Sequence, residues 1–343
     1  MRYIVIGAGG VGGTIGGRLH ATGHDVVLVA RGAHGRALAA DGLTLLTPDG
    51  PGTHQIPVVS HPDELAGGLR PGDALVLAVK GQDTAAALDV WADVPVASGG
   101  TAAERLPLFL AQNGVANEPF AARVFDDVHG VCVWLPATHL EPGVVVAEGT
   151  PVHGVLHLGR WPGGVDDVDR QVATDLEAAG FAAPLREDVM RWKYAKLLGN
   201  LGNAVEALTG TGSDEARSML TDVRAEGEAA LAAAGIMAAT PQEEAELRPT
   251  MRVGEVPGHT RLGGSSWQSL RRGTGSIEAD YLNGEIAMLG RRHGVPTPLN
   301  DTLTRWARRA ARTGQEPGSC TVEEVRRAAE AVPVTDGVDA PAH

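Results

Sequence analysis

The N-terminal part of the chain repeats one pattern: a short apolar run, a break at glycine or polar residues, then a stretch with a helical period. Residues 3–6, Tyr-Ile-Val-Ile, are apolar without alternation, as in a strand buried on both faces. Further strands are predicted at 26–29, 43–46, 56–59, 73–80 and 107–112, with helical stretches at 33–40, 82–91 and 118–123. Residues 128–135 and 144–148 alternate as half-buried strands do, and 155–158 follow. These last runs read as a β-rich edge that completes the first domain. A helix at 166–179 carries acidic residues in its first turn, where they complement the helix dipole.

After Gly180 the pattern becomes helical almost throughout. Periodic segments run over 188–208, 213–234, 241–252, 277–293, 299–313 and 321–331, several closed by glycine (Gly210, Gly235, Gly294). The tail from 333 has no apolar period and is predicted to be disordered. The expected division is therefore an α/β domain over 1–184, an all-helical domain over 185–331 and a tail over 332–343.

The first strand breaks into Gly7-Ala8-Gly9-Gly10-Val11-Gly12, a G-x-G-x-x-G that leads into a helix and then the strand at 26–29. This strand–turn–helix–strand setting makes the motif a dinucleotide-binding fingerprint, and the domain a Rossmann-type doubly wound sheet. Gly7 permits the tight turn, Gly9 brings the backbone close to a pyrophosphate, and Gly12 lets helix and strand pack. An acidic residue at the end of the second strand would accept from a ribose 2′-hydroxyl. Arg31 stands there instead, with Arg36 near by, and suits a 2′-phosphate, so NADP(H) is the expected cofactor.

Composition narrows the class. A chain of 343 residues is long enough for two domains, and 43% hydrophobic with 21% charged residues is ordinary for a globular protein. A net charge of −13 with no basic stripe argues against a nucleic-acid partner. Cys132 and Cys320 have neither metal-site nor disulfide spacing, no metal is expected, and Met1-Arg2 runs straight into the first strand. No apolar run is long enough to span a bilayer, and a soluble, cytoplasmic protein is the expectation.

Three further stretches carry candidate chemistry. Lys80 and Asn113 end strands whose carboxyl ends would face the crevice beside the first turn; a solvent-facing lysine and an Asn-Gly turn are the alternatives. In Met190–Ala204, Lys196 and Asn200 share a helix face at i, i+4, and Asn203 lies near it a turn later. Gly199 and Gly202 thin that helix; a solvated stripe is the alternative. Gly263-Gly264-Ser265-Ser266-Trp267 is followed by Glu278 and Asp280 at the start of a predicted helix, where acidic residues are ordinary stabilisers.

Taken in order, these motifs resemble the ketopantoate reductase (2-dehydropantoate 2-reductase) family from about residue 1 to about 313. The resemblance rests on the glycine motif with Arg31, the strand ending in Lys80, Asn113-Gly114, and Trp192, Lys196 and Asn200. It extends through Ser265-Ser266, Glu278 in Glu278-x-Asp280-Tyr281-x-Asn283-Gly284, and His293-Gly294-Val295-Pro296. It implies a 6-phosphogluconate-dehydrogenase-like architecture, an active site between the two domains, and NADPH-dependent reduction of a small-molecule 2-oxo acid in pantothenate biosynthesis. A homodimer is among the expected assemblies. Lys196 matches the lysine that protonates the ketone oxygen, and Glu278 the glutamate at the substrate's hydroxyl end. Asn200, Ser266 and Asn113 match positions on the substrate or nicotinamide side, and Lys80 a lysine near cofactor and substrate.

Two positions depart from the family pattern. Ala204 stands where a second substrate asparagine is usual, with Asn203 one residue early, and Leu270 stands where aspartate is usual. Both lie on the substrate side. They motivate one alternative, a reductase of another keto acid or imine, as in opine dehydrogenases; a second alternative, from another class, is a non-catalytic NADPH-binding regulator that keeps the cofactor half only.

Overall fold

β1 (Arg2–Ile6) is buried at all five positions, so its alternating side chains enter two cores. Tyr3 and Val5 join one, Ile4 and Ile6 the other. This computed structural model describes residues 1–139, 141–210, 212–247, 251–260, 263–273 and 275–331. The chain forms two compact units, Met1–Lys193 with Ala239–Thr260, and Tyr194–Ala238 with the chain from Arg261 onward.

In the first unit, β1 leads to α1 (Gly10–Ala21), β2 (Asp25–Val29) and α2 (Gly32–Asp41). A hairpin of β3 (Leu43–Thr47) and β4 (Gly50–His54) precedes β5 (Val58–Val59) and β6 (Asp73–Leu77). Then come α3 (Thr84–Trp91), α4 (Ala102–Arg105), β7 (Leu108–Leu110), α5 (Asn117–Ala121) and β8 (Val128–Trp134). β9 (Ala137–Thr138), β10 (Val144–Ala147), β11 (Gly149–Pro151), β12 (Val155–Arg160) and α6 (Asp167–Ala178) follow. The large sheet has the order β12-β8-β7-β6-β1-β2-β5, parallel except for β12. Numbered in chain order, its parallel strands stand 3-2-1-4-5-6, the doubly wound dinucleotide-binding order.

The run at 144–148 does not extend this sheet. β10 pairs with β3, Val145 opposite Leu45, in a second sheet of order β4-β3-β10-β9. α1 touches both sheets: a Cβ on Gly16 would meet Leu28 of the large sheet at 2.6 Å, and one on Gly13 would meet Val145 of the small sheet at 2.9 Å. Only a helix face without side chains admits both at that distance.

Polar groups at the sheet margins are paired, as burial requires. Arg2 binds Asp73 with two hydrogen bonds of 2.9 and 2.6 Å, tying the start of β1 to that of β6. His129, 0% exposed, lies 2.8 Å from Asp169 and 3.2 Å from Asp127. Burial alone would lower its pKa, but the two carboxylates raise it to about 9. Asp127, His129 and Asp166 bring ligand-type atoms within 4.8 Å of one another, but Arg160 already pairs with both carboxylates.

α7 (Val189–Asn200) is followed by α8 (Gly202–Thr209) and α9 (Asp214–Ala233) in the second unit. The helix expected over 188–208 is interrupted at Leu201, whose carbonyl accepts from the buried Asn283 amide at 3.0 Å. The helix expected over 241–252 is α10 (Pro241–Leu247) alone; β13 (Met251–Val253) then pairs with β11. That pairing belongs to the first unit, which runs to 193 and regains 239–260, where a single boundary at 184 was expected.

The second unit continues with α11 (Ser265–Arg271), a 3-10 turn at Glu278–Tyr281, α12 (Asn283–His293), α13 (Pro298–Thr313) and α14 (Val322–Glu330). The helix expected over 277–293 breaks at Leu282, φ −115 and ψ −90. Asn283 next to it is turned inward, bonding Leu201 and Asn300. Asn300 in turn donates to Val223 and Glu226, whose carboxylate also accepts the backbone amides of Leu299 and Asn300. The tail predicted as disordered lies outside the described residues.

Candidate active site

The first functional region grows from the carboxyl ends of β1, β6 and β7. Gly7 takes φ +102, and a Cβ there would sit 2.8–3.0 Å from Val79 and Ala78, so a side chain is excluded twice over. A Cβ on Gly12 would lie 2.1 Å from the Gly7 carbonyl oxygen. Around the Cβ direction of Gly9, the N-cap of α1, there is nothing within 4 Å. The turn is thus closed on the sheet side and open at the helix N-terminus, where unpaired amides and the helix dipole favour an anion. These features fit a dinucleotide pyrophosphate.

Lys80 is half-buried just past β6 and starts a 3-10 turn at Gly81–Asp83. Beside it, Gln112 donates to the Val79 carbonyl at 2.8 Å and to the Thr84 hydroxyl at 2.9 Å. Asn117 accepts from Thr84 at 3.0 Å and donates to the Asn113 carbonyl at 3.1 Å. The structure therefore brings Lys80, Asn113 and the glycine turn to one edge of the large sheet. Arg31 is exposed at the N-cap of α2, after β2, with Arg36 exposed one turn further.

Two residues here, Gln112 and His34, escaped the sequence reading, and Lys193, which by sequence alone could rival Lys196 three residues on, proves to be committed elsewhere. Gln112 buckles two strand ends together. Lys193, 2% exposed, pairs with buried Glu118 and donates to the Gln112 carbonyl at 3.0 Å. Its partner lies 75 residues away, so no local spacing announces the pair. His34, on the first turn of α2, reaches the Ala8 carbonyl in the glycine turn at 2.7 Å. Burial lowers the His34 pKa, with the Ala8 bond opposing. Trp192, part of the sequence motif, serves as scaffold: it stacks on His157 at 4.2 Å and carries the Arg186 guanidinium 4.1 Å above its ring. Burial, reinforced by Arg186, lowers the His157 pKa to about 3.

The second region lies on α7, α8 and α11. Lys196 is half-buried, and Asn200, one turn on, is only 8% exposed, with no hydrogen-bond partner for its amide nitrogen. Asn203 Nδ2 lies 3.5 Å from Ser265 Oγ, and the neighbouring Gly264 amide donates to Glu206 at 3.1 Å. Ser266 is buried at the start of α11, and Glu278 is buried in its 3-10 turn, near enough to Arg272 to bear on that guanidinium's charge. Ala204 and Leu270 are 1% and 6% exposed, so both departures from the motif point into packed interior. Gly199 and Gly202 border a cavity of about 440 Å³ also lined by Asn203, Glu206, Leu220 and Arg224.

Residues 3–163 match the family described as ketopantoate reductase PanE/ApbA, and 188–311 match its C-terminal counterpart. The 2-dehydropantoate 2-reductase of Pyrococcus horikoshii is 28% identical over 320 residues, covering 90% of this chain and 96% of its own length. A PanE/ApbA family ketopantoate reductase from Ralstonia eutropha JMP134 superposes with a TM-score of 0.74 at 26% identity, covering 92% of this chain and all of its own. D-mandelate dehydrogenase, solved with NADH and anilino(oxo)acetate, superposes at 0.77 over 92% of this chain and all of its own. At 20% identity this last likeness speaks for the fold alone.

Proposed function

The chain belongs to the ketopantoate reductase family, and from that premise we propose that it reduces 2-dehydropantoate to pantoate. It is an NADP-dependent oxidoreductase. Bound NADPH supplies the hydride. In this reading Gly7, Ala8, Gly9, Gly10, Val11 and Gly12 hold the pyrophosphate and Arg31 the 2′-phosphate, with Lys80 and Asn113 on the nicotinamide side. Lys196 donates a hydrogen bond to the substrate's ketone oxygen and yields a proton to it as alkoxide charge develops, an interaction strongest in the transition state. Glu278 accepts from the substrate's hydroxyl, while Asn200, Asn203 and Ser266 fix its remaining oxygens.

The observation that carries the reading is Asn200, a buried amide without a partner one turn from Lys196. Such a donor is costly unless a ligand oxygen completes it. The test is NADPH oxidation with a panel of 2-oxo acids that includes ketopantoate and phenylglyoxylate. Ketopantoate is expected to show the highest kcat/KM, by about tenfold or more, a margin worth one or two hydrogen bonds. A higher value for another acid would move the function there, and no oxidation with any would refute it. The second reading, another 2-oxo acid, is favoured by the buried Ala204 and Leu270, which put apolar surface where the family usually has polar groups.

A further inference from the structure

His34 is held between two partners that dictate its proton. A carbonyl only accepts, so Nε2 must carry the hydrogen that meets the Ala8 oxygen at 2.7 Å. On the other side the Gly143 amide donates to Nδ1 at 3.0 Å, and His139 Nε2 approaches the same atom at 3.2 Å. The ring is therefore the neutral Nε2–H tautomer, bridging the glycine turn and the loop before β10. Gly143 is itself fixed, its carbonyl accepting from the Thr44 amide at 2.9 Å.

The peptide joining Ala8 to Gly9 turns about ψ of Ala8 and φ of Gly9, and the glycine on its far side resists that rotation least. In a trans peptide the carbonyl and the amide of the same plane point in opposite directions. Pinning the Ala8 carbonyl towards His34 fixes the Gly9 N–H on the opposite side, at the open N-cap of α1.

We propose that His34 is a positioning residue for the cofactor: it holds the Ala8–Gly9 peptide so that the Gly9 amide is already aimed at the dinucleotide pyrophosphate. This rests on the reading of the glycine turn and Arg31 as the NADP(H) site. The pyrophosphate is common to NADPH and NADH, so the effect of His34 is shared by both cofactors, whereas that of Arg31 belongs to NADPH.

Two substitutions divide the two sides of the ring. His34→Asn keeps an acceptor for the Gly143 amide but falls short of Ala8. His34→Gln keeps a donor for Ala8 and gives up the Gly143 side. Dissociation constants for NADPH and NADH are measured by fluorescence titration on the full chain, beside Arg31→Ala and the thermal midpoint of each variant. His34→Asn is expected to weaken NADPH and NADH equally, by about tenfold, the scale of one hydrogen bond. The KM for NADPH should rise with it, while kcat at saturating NADPH stays within about twofold. His34→Gln should stay within about threefold of the parent for both cofactors.

Unchanged affinities in His34→Asn, a loss confined to NADPH, or an equal loss in His34→Gln would overturn the proposal. If Arg31→Ala weakens NADPH selectively while His34→Asn is silent, the inference fails alone. If neither substitution affects NADPH, the assignment of the cofactor site fails with it.

Discussion

The glycine turn of the first unit and the Lys196–Asn203 stripe of the second are made of different material. The turn is backbone: its shape follows from Gly7 at φ +102 and from a Gly12 that leaves no room for a Cβ. The stripe is side chains on two consecutive helices, α7 and α8, where one substitution changes a side chain without touching the main chain. Backbone sites tolerate almost no variation, while side-chain sites can be redirected one residue at a time. The chain carries the full G-x-G-x-x-G in that turn, and its two departures from the family pattern, Ala204 and Leu270, lie in the second unit.

Lys196 and Lys193, three residues apart on α7, put that contrast to the sharpest test. Lys196→Ala is expected to lower kcat by about a thousandfold, the scale of losing a positioned proton donor, with NADPH affinity within about twofold. A kcat near the parent's in stopped-flow or steady-state assays would remove the proton-donor role. Lys193→Met should instead lower stability by about 3–5 kcal/mol, because Glu118 is left as a lone buried charge. Lys193→Met combined with Glu118→Met should recover most of that loss in denaturant titration. A stable single variant would show that the pair does not hold the end of β7.

A smaller effect separates the sheet margin from both sites. His129 has a folded pKa of about 9, above its unfolded value of about 6.5, so its stabilisation is complete below about pH 6.5 and is lost as pH rises through about 9. Stability of the parent should fall by about 3 kcal/mol over that window beyond the trend of a His129→Gln variant. Parallel pH profiles for the two proteins would mean that the imidazole is neutral in the fold.

Much of the fold was legible from period and punctuation. The first strand, the glycine turn and the helical second half were legible because strand and helix periods and the spacing of glycines are local properties of the chain. The misplacements share one physical cause. β10 left the large sheet for β3, residues 251–253 became a strand, and two expected helices broke near Leu201 and Leu282. In each case a partner distant in sequence supplied the hydrogen bonds, and local propensity does not register such partners.

What the sequence determined by itself is the turn from Ile6 to Gly12, where Gly7 at φ +102 and the 2.1 Å that a Cβ on Gly12 would leave to the Gly7 carbonyl are matters of residues a few positions apart. Tertiary structure decided which of two nearly adjacent lysines is spent on a buried ion pair, which amide on α7 is left without a partner, and which imidazole holds Ala8. Lys193 meets Glu118 across 75 residues, and His34 meets Gly143 across 109. Packing chose those partners, because a buried charge or a rotatable peptide is stabilised by whichever group the folded chain brings within hydrogen-bond distance.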